Sequence, residues 1–220
     1  TLSPNNTQSF SLGTTTLTQA ANGINWNPVT RKFSLSHQYL DDNGTGDASN
    51  VYTISVGVTD DDTGTGSAST TVTVKNVNPA VSVALSSASI DENGSTTLSG
   101  TIIDAGSLDT FTLNLNWGDT LSPNNTQSFS LGTTALTQAA NGINWNPATR
   151  KFSLSHQYLD DNGTGDASNV YTISVGVTDD DTGTGSASTT VTVNNINPTV
   201  NVALSSASID ENGRTTLSGT

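Results

Sequence analysis

Each of two long, matching stretches of this chain carries two acidic loops. The first copy has Asp41, Asp42 and Asp47, then Asp60, Asp61 and Asp62. The second has Asp160, Asp161 and Asp166, then Asp179, Asp180 and Asp181. Asn and Gly surround these acids, and soft ligands are absent because the chain has no Cys. Oxygen-only donor sets of this kind suit calcium, which takes six to eight oxygens from carboxylates, amides and carbonyls. Solvated turns use the same residues, since Asp and Asn side chains hydrogen-bond nearby backbone. Both readings stand at this point: calcium is the candidate cofactor, and none is required.

His37 and His156 are the two imidazoles, one per copy, each close to an acidic loop. A His beside Asp can act as a general base. His156, however, alternates in step with Leu154 and Tyr158, which points to a core position held by hydrogen bonds. No paired-carboxylate cleft of the glycosidase type is suggested either. Lys151 beside Arg150 gives no sign of an isopeptide staple. The chain is read as having no catalytic site.

Those loops must be held by strands. The 220 residues are rich in Ser, Thr, Val, Asn and Gly, and no long stretch shows helical apolar spacing. Phe111, Leu113, Leu115 and Trp117 alternate with polar residues, as do Phe152, Leu154, His156 and Tyr158. Tyr171, Ile173, Val175 and Val177 form another row, and Ala187, Thr189, Val191 and Val193 the last. Val81, Val83 and Leu85, then Leu98, Gly100 and Ile102, supply two more. Between Thr120 and Arg150 the pattern weakens, with edge strands suggested around Phe129 to Leu131 and Ile143 to Trp145. The expected core includes Val83, Leu98, Leu113, Leu115, Trp117, Ile173, Val175 and Val191.

The chain repeats itself: Thr1 matches Thr120, an offset of 119 that holds to the end with seven differences. They are Thr16/Ala135, Val29/Ala148, Lys75/Asn194, Val77/Ile196, Ala80/Thr199, Ser82/Asn201 and Ser95/Arg214. Near-identical tandem copies are typical of stalks and fibres, where length is the function. Pro79 and Pro198 follow strand-like runs and mark the boundaries. Residues 79–197 are expected to form one complete module, 1–78 the back part of a preceding one, and 198–220 the start of the next. The chain is expected to be an excerpt from a longer array.

The runs Leu115–Asp119 (LNWGD), Phe152–Tyr158 (FSLSHQY), Tyr171–Asp181 (YTISVGVTDDD) and Ser188–Val193 (STTVTV) resemble bacterial PKD-like modules in order and spacing. The resemblance implies an all-β protein of tandem immunoglobulin-like β-sandwiches with a repeat of 119 residues. It further implies a large extracellular or cell-surface protein serving adhesion, spacing or polysaccharide contact, without catalysis of its own. The expected function is a structural module of a filament, stalk or adhesin; the alternative is a carbohydrate-binding accessory module of a secreted enzyme. Trp145 bears on that choice, as an exposed sugar platform or, the favoured reading, a plug at the sandwich edge.

In such a sandwich, successive loops alternate between poles. Loop 159–169 then lies at one pole with Asp91, Glu92, Asn93 and Asp119, and Asp179–Asp181 at the other with Asp104 and Asp109. The two acidic loops of one module cannot share an ion, but loops of adjacent modules can. The expected ligands are Asp41, Asp42 and Asp47 from one side and Asp179, Asp180 and Asp181 from the other, with Asn78 from the linker. The logic is similar to that of calcium-stiffened cadherin arrays.

The remaining expectations concern partners. A net charge of −13 leaves little to neutralise phosphates, which argues against nucleic acid. No apolar run approaches the roughly 20 residues of a membrane helix. Expected partners are neighbouring modules, lateral copies in a fibre, and glycans. Sequons at Asn5, Asn43, Asn93, Asn124 and Asn162 are candidate glycosylation sites, though the motif arises easily in a chain rich in Asn and Thr.

Overall fold

The computed structural model describes residues 5–42, 46–162 and 165–220. In chain order the elements are α1 (Gln19–Asn22), β1 (Asn25–Asn27), β2 (Lys32–Ser34), β3 (Ser49–Thr59), β4 (Thr65–Lys75), β5 (Ala80–Leu85) and β6 (Ser89–Asp91). They continue with β7 (Ser95–Ile103), β8 (Phe111–Asn116), β9 (Thr126–Leu131), α2 (Gln138–Asn141), β10 (Asn144–Asn146) and β11 (Lys151–Gln157). Then come β12 (Ser168–Asp179), β13 (Thr184–Asn194), β14 (Val202–Leu204) and β15 (Leu217–Gly219). The chain is nearly all β, as the alternation of Val, Thr and aromatic residues dictates.

Two sheets consistent with a β-sandwich are drawn from residues 80–194. One has the order β10-β11-β7-β5, the other β6-β13-β12-β8-β9. Neighbours are antiparallel except β6, which runs parallel to β13. The alternation translates directly into burial. Leu154 lies opposite Leu98 in the first sheet, Val175 opposite Leu115 and Tyr171 opposite Val191 in the second. These side chains belong to one core cluster with Trp117, Trp145, Phe152, Tyr158 and Ile173. The expected core residues are buried except Val83, which is half-buried because β5 is an edge strand. Phe152 lies opposite Gly100, and its ring rests on the Gly100 backbone where any Cβ would collide.

The weakly patterned stretch 120–150 resolves into the edge strands β9 and β10 joined through the four-residue helix α2. Asn144 Oδ1 accepts the Gln138 N–H at 2.8 Å, and the Trp145 indole donates to the Gly132 carbonyl at 2.8 Å. The helix and the parallel strand β6 have no counterpart in the sequence reading. Both are too short for a period to show.

The first copy repeats several elements at the same offset: α1 and α2, β1 and β10, and the starts of β3 and β12 and of β4 and β13. Its strand β2 stops after three residues where β11 runs for seven. β11 is extended by pairing with β7; β2 pairs only with β1. The β3–β4 hairpin keeps its register yet leaves Ile54 and Val58 exposed, whereas Ile173 and Val177 are buried.

Leu35 and Leu154 are therefore the same residue in two environments, 40% exposed and fully buried. Leu154→Ala is expected to cost about 2–5 kcal/mol of unfolding free energy, and Leu35→Ala about 0.5 kcal/mol or less. Denaturant titration of the two variants measures the difference, and equal costs would contradict the two environments.

Candidate metal centre at an acidic junction

The DDDTG hairpin between β12 and β13 is organised by its first acid. Asp179 Oδ1 accepts the N–H groups of Asp181 (3.1 Å) and Gly183 (2.6 Å), and the Asp179 N–H donates to the Gly183 carbonyl. Thr182 is held at φ 71°, as is Thr63 at φ 70° in the first copy. A β-branched residue is strained there. The bonds from Asp179 hold that shape, and the strained turn carries Asp180 and Asp181 outward. Gly183 is required for a different reason: a Cβ there would strike the Asp179 carboxylate and the side-chain amides of Asn76 and Asn78.

The loop between β7 and β8 presents Asp104 and Asp109. Arg150 holds it from below, donating to the carbonyls of Asp104 (3.1 Å) and Gly106 while its guanidinium stacks 5.1 Å from the Phe111 ring. Thr110 N–H donates to Asp180 Oδ1 at 2.9 Å, tying this loop to the hairpin.

Onto this surface comes the first acidic loop of the preceding copy. The Tyr52 hydroxyl donates to the Asp41 carbonyl, just as Tyr171 donates to Asp160 in the second copy. Ser107 N–H reaches the Leu40 carbonyl at 3.1 Å, and Gly46 N–H reaches Asp181 Oδ1 at 3.1 Å. Asn76, in the linker, donates its amide to Asp179 Oδ2 at 2.9 Å. Three acidic triads result, each with carboxylate oxygens within 4.8 Å of one another: Asp41/Asp42/Asp181, Asp109/Asp180/Asp181 and Asp104/Asp109/Asp179. Such clusters can hold a metal ion.

The electrostatics are those of crowded, desolvated carboxylates. Asp42 is pushed up to about 7, first by burial and then by Asp181 and Asp41. Asp109 also reaches about 7, through burial and the charges of Asp104, Asp41, Asp180 and Asp179. Burial raises Asp104 too, partly offset by the Gly106 N–H and by Arg150. One oxygen of each of Asp42, Asp104, Asp109 and Asp181 is buried without a hydrogen-bond partner. Asp42 and Asp181 are only 3% and 1% exposed. Native proteins rarely leave buried polar atoms unsatisfied, and a bound ion is one of the few reasons they do.

Of the residues expected to meet, Asp41 and Asp42 share a triad with Asp181 alone, while Asp180 joins Asp181 beside Asp109 and Asp179 lies with Asp104 and Asp109. Asp47 is exposed and belongs to none of these triads. Asn78 lies beside Gly183 with its amide oxygen toward the hairpin. At the opposite pole Glu92, Asp160 and Asp161 form a fourth cluster. Asp119 is fully buried and serves the core. Its carboxylate accepts the N–H groups of Leu121 and Ser122 and pairs with His156 Nε2 at 3.2 Å, and His156 stacks on Trp117.

Trp145 is buried at 3% exposure, so the exposed-platform reading is corrected: its ring fills the core beside Phe111. Asn5, Asn93, Asn124 and Asn162 are exposed and share positive φ values, from 57° to 88°. Asn tolerates this left-handed region better than most residues, which accounts for Asn at these turns without a glycan. Asn43 lies outside the described residues.

No protein family matches the sequence, and no curated protein does. Among solved structures, the chain is similar to the PmoD soluble domain from Methylocystis sp. ATCC 49242 (Rockwell), at 13% identity over 51% of this chain and 90% of that one, with a TM-score of 0.30. It is similar to Pseudomonas fluorescens alkylpurine DNA glycosylase AlkC bound to DNA containing an abasic site analog, at 12% identity over 53% of this chain and 30% of that one, with a TM-score of 0.29. For domains 4 and 5 of the S-layer protein SbsC the values are 16%, 76%, 83% and 0.27. Likenesses this distant carry no functional argument.

The raised carboxylates fix a pH dependence. Asp42 and Asp109 hold protons up to about 7 in the folded chain but only to 3.8 when unfolded. The folded state thus binds more protons between these values, and stability is lost as pH rises from about 4 to about 7. His156, lowered mainly by burial, acts oppositely, losing stability as pH falls below its ordinary 6.5. Comparing the wild type with Asp42→Asn/Asp109→Asn, which keeps His156, isolates the acids. In chelator, the wild-type melting temperature is expected to fall relative to the variant from pH 4 to 7 and to level off above it. A constant difference would contradict the crowding.

Proposed function

We propose that this chain is a structural segment of an extracellular filament, stalk or adhesin, built from tandem PKD-like modules whose junctions are stiffened by calcium. One observation carries the reading: Asp41 and Asp42 of one sequence copy and Asp181 of the next offer carboxylate oxygens within 4.8 Å of one another. The 119-residue repeat carries the same acidic loop a second time, at Asp160 and Asp161. The module limits are 1–78, 79–197 and 198–220, with the linker at 76–78 between the first two.

The chemistry follows from charge. Bare carboxylates at the junction repel each other and open it. A calcium ion neutralises them and accepts several oxygens at once, which fixes the angle between copies. Calcium matches the hard, all-oxygen donor set better than zinc or copper. Exposed sequon asparagines away from the junction could carry sugar without disturbing it.

Small-angle scattering of the chain with calcium and then with chelator tests this. Calcium is expected to raise the melting temperature and to lengthen and sharpen the maximum dimension; at 100-fold excess over Kd the stabilisation is about 2.7 kcal/mol. Unchanged dimension and melting temperature would leave the acidic loops as solvated turns.

A further inference from the structure

The three triads at the junction are not separate. Asp181 belongs to two of them, and Asp109 to two. Their roles differ in how their oxygens are already used. Asp179 is fully engaged, with Oδ1 on the hairpin N–H groups and Oδ2 on the Asn76 amide. Asp181 has one oxygen on the Gly46 N–H and the other buried without a partner. Asp104 has one oxygen on the Gly106 N–H, and its other oxygen, like one of Asp109, is buried and unpartnered. Asp42 likewise has one such oxygen. The unsatisfied oxygens therefore fall into two groups: Asp42 and Asp181 on one side, Asp104 and Asp109 on the other.

We infer that the junction binds two divalent cations, bridged by the Asp181 carboxylate, the first among Asp41, Asp42 and Asp181 and the second among Asp109, Asp180 and Asp181. This rests on the proposed calcium junction and deepens it. Asp179 is left as a positioning residue that shapes the hairpin. A single ion does not serve both sets, because Asp41 and Asp42 do not join Asp109 and Asp180 in one cluster of carboxylate oxygens within 4.8 Å; only Asp181 belongs to both. Paired metal ions in two-metal protein sites lie about 3.5–4 Å apart, so two ions on one carboxylate are an ordinary spacing.

The two positions differ in origin. The ligands of the second ion all come from residues 109–181, within one module. The first ion also needs Asp41 and Asp42 from the preceding copy. The second ion pins Asp181 before the neighbouring loop arrives, so the module carries half of the junction already charged with calcium.

Calcium titration by calorimetry and native mass spectrometry of the whole chain reads this as losses from the wild-type ion count, so ions bound elsewhere cancel. Asp41→Asn/Asp42→Asn is expected to lose one ion, Asp109→Asn/Asp180→Asn one, and Asp181→Asn two. If only the first variant loses an ion, the two-ion inference falls while the calcium junction stands. If none does, both fall. A measurement without variants guards against misfolding: the wild type is loaded with a mixture of terbium and neodymium. Adjacent ions shorten the terbium luminescence lifetime by energy transfer. A lifetime equal to that with terbium alone would overturn the bridged pair.

Discussion

Seven carboxylates converge where one copy of the sequence meets the next: Asp41, Asp42, Asp104, Asp109, Asp179, Asp180 and Asp181. Two bare carboxylates 4 Å apart repel by about 4 kcal/mol at the effective dielectric of a protein surface. The assembly survives only if protons, backbone N–H groups or cations answer that charge. Much of the local architecture serves as an answer. The DDDTG hairpin turns N–H groups inward onto Asp179, the linker offers the Asn76 amide, and Arg150 sits beneath the loop of Asp104 and Asp109. What remains are buried oxygens with nothing to accept from. Below about pH 7 protons on Asp42 and Asp109 answer part of that charge, and above it the idle oxygens are left for a hard cation.

The strands were legible because each inward row alternates over three or four residues, enough for Leu113, Leu115 and Trp117 to declare a face. The same logic placed the acidic loops at alternate poles, which foresaw that Asp41 and Asp42 would approach Asp181. It could not foresee Asp47 standing outside the triads, since no period operates inside a loop. Nor could it rank the acids. The difference between Asp179, with both oxygens engaged, and Asp181, with one idle, depends on hydrogen-bond directions that no spacing encodes. Helix α2 and strand β6 are as invisible as Asp47: α2 is a single turn held by a local side-chain bond to Asn144, and β6 is three residues held by β13, far away in sequence.

The two copies show how far context decides structure. Residues 49–75 and 168–194 differ only at Lys75 and Asn194, and both form long hairpins in the same register. Local sequence thus suffices for the hairpin. It does not suffice for burial, which arrives only where β8 extends the same sheet and the sheet of β5 and β7 is also present. β2 stopping at Ser34 while β11 continues to Gln157 makes the same point for strand length.

The bond between Asn76 and Asp179 has a mechanical consequence. A chain pulled from its ends is loaded at the linker, and that bond passes tension into the turn of the β12–β13 hairpin. The turn is joined covalently to β13, so the tension runs on along that strand's backbone to Asn194 and leaves the β12–β13 rungs unloaded. The Asn76–Asp179 bond is then the fuse of the junction: it gives first, and the linker swings free while the hairpin stays whole.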